Sequence, residues 1–124
     1  MASIQAKIVA KALRLQDFDW AKGTNAEQRA KQEKTARLFK ISKDVSVEKR
    51  NINGIPAEFI SAAGSKPGVI LYLHGGAYAL GSVSVHREFL SRLAKASQTK
   101  VLAINYRLAP EHPFPAALDD TLAA

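Results

Sequence analysis

The residues with the most chemical content in this 124-residue chain lie together, in His74-Gly75-Gly76-Ala77-Tyr78-Ala79-Leu80-Gly81-Ser82. Two consecutive glycines let a backbone approach another group closely and turn its N–H groups outward. Outward N–H groups attract negative charge, so the segment suits a phosphate cradle or an oxyanion hole. The phosphate cradle fits less well. Gly76 and Gly81 have the four-residue separation of a P-loop, but that loop continues with Lys and then Ser or Thr, whereas Ser82-Val83 follow here. The dinucleotide fingerprint G-x-G-x-x-G is missing too.

Other chemistries are narrowed by what the chain lacks. With no cysteine, a disulfide framework, a thiolate metal site, an iron–sulfur cluster and a cysteine nucleophile are excluded. The three histidines, His74, His86 and His112, are twelve and twenty-six residues apart with no H-E-x-x-H pattern, so neither a metal nor any other cofactor is expected. Asp119 and Asp120 form an acidic pair near the start of a helix, where negative charge complements the helix dipole. Arg107 and Glu111 are placed to form an ion pair that fixes a proline-rich loop.

The elements that must position these residues follow from local patterns. Residues 2–16 set Ile4, Ile8, Val9, Ala12 and Leu13 at helical spacing against Lys7, Lys11 and Arg14, an amphipathic helix. Gly23 breaks it, and Thr24-Asn25-Ala26-Glu27 is a capping box that opens a second helix running to about Lys40. From Val45 the apolar period becomes two, and Asn53-Gly54 between Val45–Ile52 and Ile55–Ser61 predicts a type I′ hairpin. Ala62–Pro67 is a small-residue loop. Gly68–Leu73 is apolar at consecutive positions, which predicts a strand buried on both faces within a sheet covered by helices. Val85, Phe89, Leu93 and Ala96 then mark the apolar stripe of a helix over Val83–Gln98, and Lys100–Tyr106 is another apolar strand. Strand, helix, strand predicts a βαβ unit with parallel strands. Three prolines between Leu108 and Pro115 forbid regular structure, and a last helix starts near Pro115. The glycine-rich segment therefore sits at the carboxyl end of a parallel strand, where open α/β sheets bind their ligands.

The neighbours of the glycines are specific. His74-Gly75-Gly76-Ala77-Tyr78 resembles the HGGG-type loop of the hormone-sensitive-lipase family of α/β-hydrolases. Tyr106-Arg107-Leu108-Ala109-Pro110-Glu111-His112-Pro113-Phe114-Pro115-Ala116 is similar to the segment after the fourth strand of bacterial esterases in that family. The two motifs stand in the family's order, about thirty residues apart, and the resemblance covers roughly residues 55–124. It implies the N-terminal part of an α/β-hydrolase fold with an incomplete sheet: residues 1–44 as cap-like helices and residues 45–124 as the first part of the core.

The resemblance also implies site roles. The oxyanion hole would comprise Gly75, Gly76 and Ala77, with the N–H groups of Gly76 and Ala77 as donors and Gly75 giving the turn room. Ala77 departs from the triple-glycine form, and its Cβ disfavours left-handed backbone by about 1 kcal/mol, so a negative φ is expected there. His74 would brace the loop, or simply be a satisfied strand-end histidine. Tyr78 would border the acyl or alcohol pocket, or serve as a core aromatic. Asn105 replaces the Asp of many relatives and brings no charge. The family's triad runs Ser, then Asp or Glu, then His, with the serine on a G-x-S-x-G elbow. None of the nine serines fits, Gly81-Ser82-Val83-Ser84 being the nearest. No triad member is therefore present, and a C-terminal half would be needed for the expected hydrolysis of small acyl esters or lactones.

Charge adds a second hypothesis. The chain carries 18 Lys+Arg and 11 Asp+Glu, with 13 of these bases and 7 of these acids in residues 1–66. That basic half could serve a non-catalytic module contacting an anionic partner. Acids are interspersed, however, and solvated helix faces are the first expectation, with nucleic acid not a favoured partner. The longest apolar run, Val69–Leu73, is far short of the roughly 20 residues of a membrane span. Without the apolar h-region of a secretory signal, a cytoplasmic location is expected.

Overall fold

The computed structural model of the chain describes residues 3–15 and 23–124. Its elements run α1 (Ile4–Leu15), α2 (Asn25–Ala36), β1 (Val45–Ile52), β2 (Ile55–Ala62), β3 (Lys66–Leu73), α3 (Val83–Ser97), β4 (Thr99–Ile104) and α4 (Ala116–Ala123). The strands form a mixed sheet in the order β1-β2-β4-β3. β1 and β2 are antiparallel, as are β2 and β4, whereas β3 and β4 are parallel and joined through α3. This is the N-terminal part of an open α/β sheet, as expected. Among the described residues, no helix is long and apolar enough to cross a membrane.

Local signals placed most elements. Asn53 and Gly54 have φ of 50° and 88°, the two positive values that a type I′ turn requires, and Ile52 pairs with Ile55 across them. The capping box of α2 is complete: the Thr24 N–H donates to the Glu27 carboxylate at 2.7 Å, and the Glu27 N–H donates to Thr24 Oγ1 at 3.3 Å. The helix ends at Ala36, not Lys40. The N–H groups of Leu38 and Phe39 turn to Thr35 and Ala36, three residues back, which tightens and closes the last turn. In α1, Ile4 and Ile8 are exposed; residues 2 and 16, and the side chains of Val9, Ala12, Leu13 and Arg14, lie outside the described residues.

Burial of the parallel strands differs from expectation. Within these 124 residues β3 lies at the edge of the sheet. Its Ile70 and Tyr72 pack on the core beneath α3, but Val69, Leu71 and Leu73, on the other face, are 54%, 47% and 44% exposed. Double-sided burial belongs instead to β4, which lies between β2 and β3. There Val101 and Ala103 join Ile60, Val83, Leu90 and Ala94 on one face, while Leu102 and Ile104 join Ile55, Ala57 and Tyr106 on the other. A continuous apolar run is compatible with both positions, and only strand order separates them. β3 also begins at Lys66, before Pro67-Gly68 interrupt its register, because Pro67 has no N–H for the ladder.

The buried face of α3 is rotated from the predicted stripe. Val83, Leu90, Ser91 and Ala94 are buried, whereas Phe89 and Ala96 are exposed. The rotation brings Arg87 over the sheet, where its guanidinium donates to both carboxylate oxygens of the buried Glu58 at 2.8 and 2.6 Å. A charge at that depth requires such pairing. Phe89 lies at the flank, its ring 5.9 Å from that of Tyr72.

Candidate functional site

The site is built where the chain leaves the carboxyl ends of β3 and β4. His74 follows Leu73 directly and is buried, with its ring stacked on that of Tyr106 at 4.3 Å and 11°. The Tyr106 hydroxyl donates to the His74 carbonyl. His74 Nδ1 lies 3.0 Å from the Gly75 carbonyl, so the imidazole ties the start of the loop to itself. Burial is the main cause that holds the His74 pKa below its ordinary value; the Gly75 carbonyl opposes the shift, and nearby His86 adds to it.

Beyond Gly75 the backbone makes a left-handed turn. Gly76, Ala77 and Tyr78 have φ of 135°, 53° and 59°, and the N–H groups of Ala79 and Leu80 both donate to the Gly76 carbonyl, at 3.0 and 2.8 Å. The expected negative φ at Ala77 is therefore wrong. Left-handed backbone costs roughly 1–2 kcal/mol at each L-residue, but the bonds closing the turn each return about 0.5–1.5 kcal/mol. Contacts from elsewhere hold it as well. The Ala109 N–H donates to the Tyr78 carbonyl at 2.8 Å, and Arg29 Nε donates to the Ala79 carbonyl at 2.7 Å. Local preference favoured the right-handed form, and tertiary bonds outweigh it.

The need for glycine also falls elsewhere than expected. A Cβ on Gly76 would lie 2.0 Å from the Leu80 carbonyl oxygen, and one on Gly81 would lie 2.4 Å from the Gly75 oxygen and 2.9 Å from His74 Nδ1. A Cβ on Gly75 would meet no atom within 4 Å. Room for the turn is thus made at Gly76 and Gly81 and not at Gly75. Among the described residues, the N–H groups of Gly76 and Ala77 have no acceptor. Gly75, Gly76, Ala77 and the largely exposed Tyr78 line a cleft of about 710 Å³, with Tyr106 and Phe114 on its walls.

The proline loop closes the other side, with partners different from those predicted. Arg107 pairs with Asp120 and not Glu111: its Nε and second terminal nitrogen reach Asp120 Oδ1 at 2.9 and 2.7 Å, and its backbone N–H reaches Oδ2 at 2.8 Å. Asp120 is therefore an ion-pair anchor between the end of β4 and α4 rather than a partner of the helix dipole alone, and Arg107 holds its carboxyl below the usual range. Glu111 instead receives Arg29, at 2.9 and 3.0 Å. Asn105 has a role that sequence reasoning missed. Its Oδ1 accepts the Val83 N–H at 2.8 Å and satisfies one of the free donors at the start of α3, beside the Ser82 N-cap.

Sequence reasoning placed α2 but missed its part in the site. Arg29, Gln32 and Glu33 share one helix face at i, i+3 and i+4 and meet successive parts of the loop: Ala79 carbonyl, Gly81 N–H, and the hydroxyls of Ser82 and Ser84. Helical spacing alone groups these residues, but it carries no sign of what faces them. Among the described residues, no group of three or more His, Cys, Asp or Glu is arranged to hold a metal.

Residues 70–124 match a family described as alpha/beta hydrolase fold. The chain is 40% identical over 83 residues to an esterase from Acinetobacter venetianus, covering 67% of this chain and 27% of that protein. It is 50% identical over 68 residues to an acetyl-hydrolase from Streptomyces hygroscopicus, covering 55% and 23%. Among solved structures, an esterase/lipase from an uncultured bacterium superposes with a TM-score of 0.90 at 40% identity, over 99% of this chain and 42% of that one. An esterase of the bacterial hormone-sensitive lipase family gives 0.78 at 43% identity, over 83% and 35%. The chain thus spans about a quarter of the length of those curated relatives.

Proposed function

Because residues 70–124 match the α/β-hydrolase family and hormone-sensitive-lipase esterases are among the similar solved structures, we propose that the chain supplies the oxyanion-stabilising loop of a serine carboxylic-ester hydrolase. The substrates would be small acyl esters or lactones. One observation carries this reading: the N–H groups of Gly76 and Ala77 are without acceptors among the described residues, in a hydrogen-bonded turn that lines the cleft.

Attack on an ester carbonyl moves charge onto its oxygen, and donors already in place stabilise that charge without reorganising. Removing one such donor costs on the order of 3 kcal/mol in the barrier. In this reading His74 fixes where the loop leaves β3, and Tyr78 borders the acyl or alcohol side of the cleft. Residues 1–44 act as cap-like helices over the core of residues 45–124. The serine, acid and histidine of the triad come from outside these 124 residues, since no serine here lies in G-x-S-x-G.

The test compares the full-length protein with residues 1–124 alone on p-nitrophenyl acetate. Saturable hydrolysis is expected from the full-length protein only. Saturable hydrolysis by residues 1–124 above a heat-killed control refutes the assignment of the triad. Absence of hydrolysis by the full-length protein on a series of short acyl esters refutes the reading itself.

A further inference from the structure

Among the described residues of α2 none is buried, yet the helix lies against α3 and the loop before it. Its attachment is polar, and Arg29 is at the centre. The Arg29 side chain is 24% exposed. Nε donates to the Ala79 carbonyl at 2.7 Å and one terminal nitrogen to the Ala109 carbonyl at 2.6 Å, while both terminal nitrogens meet the Glu111 carboxylate at 2.9 and 3.0 Å. One planar group therefore joins a helix, the left-handed turn and the proline loop. It does so beside the direct bond between those loops, from the Ala109 N–H to the Tyr78 carbonyl.

We infer that Arg29 is a positioning residue that holds the Gly76–Leu80 turn in its left-handed form; its consequence for catalysis rests on the oxyanion reading above. The physical reason is strain. Ala77 and Tyr78 both sit at positive φ, and a turn of that hand relaxes unless its peptide groups are held. Arg29 fixes the carbonyl of Ala79, the residue next after the strained pair. Glu111 orients the guanidinium plane so that Nε and a terminal nitrogen aim at two carbonyls in different loops. Lysine cannot substitute, because one ammonium nitrogen cannot span both carbonyls and the carboxylate in a fixed plane. Relaxation of the turn would displace the N–H groups of Gly76 and Ala77 without removing them.

The experiment uses the full-length protein and the variants Arg29→Lys, Arg29→Gln and Glu111→Gln. Two quantities are read: kcat per active site, with sites counted by a stoichiometric phosphonate titrant, and amide hydrogen exchange at Leu80 and Ala109. Both Arg29 variants are expected to lower kcat per site by about tenfold or more, with KM for p-nitrophenyl acetate little changed, since displaced donors act on the transition state. Exchange at both amides should accelerate, and Glu111→Gln should move both quantities less, in the same direction. Wild-type kcat per site in Arg29→Lys overturns the inference. So does a fall in melting temperature or titratable sites with kcat per site intact, which is the signature of a structural role only. If Arg29→Gln does not fold, Arg29→Lys and Glu111→Gln carry the comparison. If the wild-type protein hydrolyses no ester, the oxyanion reading falls, and exchange alone decides the clamp: acceleration upholds it and unchanged exchange removes it.

Discussion

Replacing Gly76 by Ala should separate the two glycines of the site. At φ 135° a non-glycine residue bears strain of about 1–3 kcal/mol. Its Cβ would start 2.0 Å from the Leu80 carbonyl oxygen, where real contacts keep at least 3.0 Å. Leu80 must then move by about an ångström, which endangers the Ala79 and Leu80 N–H bonds to the Gly76 carbonyl, each contributing about 0.5–1.5 kcal/mol. The reduced entropy of the unfolded chain offsets about 0.4–1 kcal/mol. The net expectation is a loss of roughly 2–5 kcal/mol. Gly75→Ala serves as the stability control: its Cβ meets nothing within 4 Å and its φ is not positive, so a change of no more than about 1 kcal/mol follows. Urea denaturation of the full-length protein and both variants measures this. In active-site-titrated samples, Gly76→Ala should also lower kcat on p-nitrophenyl acetate by about 100-fold if one donor is lost. Equal urea midpoints for Gly76→Ala and Gly75→Ala would refute the steric argument.

Ala77→Gly relieves left-handed strain of about 1–2 kcal/mol and adds unfolded-state entropy of about 0.4–1 kcal/mol, so a neutral to slightly higher urea midpoint is expected; a clear drop would show that the Ala77 methyl packs favourably. Glu58→Ala leaves the Arg87 guanidinium without its carboxylate beneath α3 and should cost about 2–4 kcal/mol, discounted because Arg87 is 31% exposed; thermal unfolding reads it. Burial lowers the His74 pKa in the folded chain, so the unfolded chain binds the proton more readily. Stability should therefore be full above the ordinary histidine value of about 6.5 and decline as pH falls towards the folded value. Urea midpoints from pH 7 to 5 should show that slope, and His74→Asn should flatten it. Asp120 behaves as a depressed carboxyl: the Arg107 anchor is intact above the ordinary carboxylate range and is lost as pH falls through the folded value, and Asp120→Asn should weaken the acid dependence of unfolding.

Much of the scaffold was legible because its signals are local. Asn53-Gly54 dictates positive φ at adjacent residues whatever surrounds it, and Thr24 with Glu27 closes its own cap within one turn. The order of strands and helices, and the placing of His74–Ser82 after a parallel strand, came from patterns a few residues long. The expectations that the structure corrected depend on neighbours distant along the chain. Val69–Leu73 and Val101–Ile104 are both apolar runs, and only the order β1-β2-β4-β3 puts one at the edge and the other at the centre of the sheet within these 124 residues. The burial of Val83, Leu90 and Ala94 instead of Phe89 and Ala96 goes with the pairing of Arg87 and Glu58, 29 residues apart.

The site divides along the same line. The sequence by itself determined which backbone segment carries outward N–H groups, since paired glycines after an apolar strand permit a close turn, and it showed that no cysteine or G-x-S-x-G serine is present. Tertiary structure alone decided the hand of that turn and the partners that hold it. Ala77 takes φ 53° against its local preference because Arg29, 50 residues before Ala79, and Ala109, 31 residues after Tyr78, bond to the carbonyls of the turn. Arg107 turns to Asp120 of α4, 13 residues on, and leaves Glu111 to Arg29 of α2, 82 residues before it. A backbone preference of about 1–2 kcal/mol is legible residue by residue. Several hydrogen bonds brought together by packing outweigh it, and their donors are close only once the chain has folded.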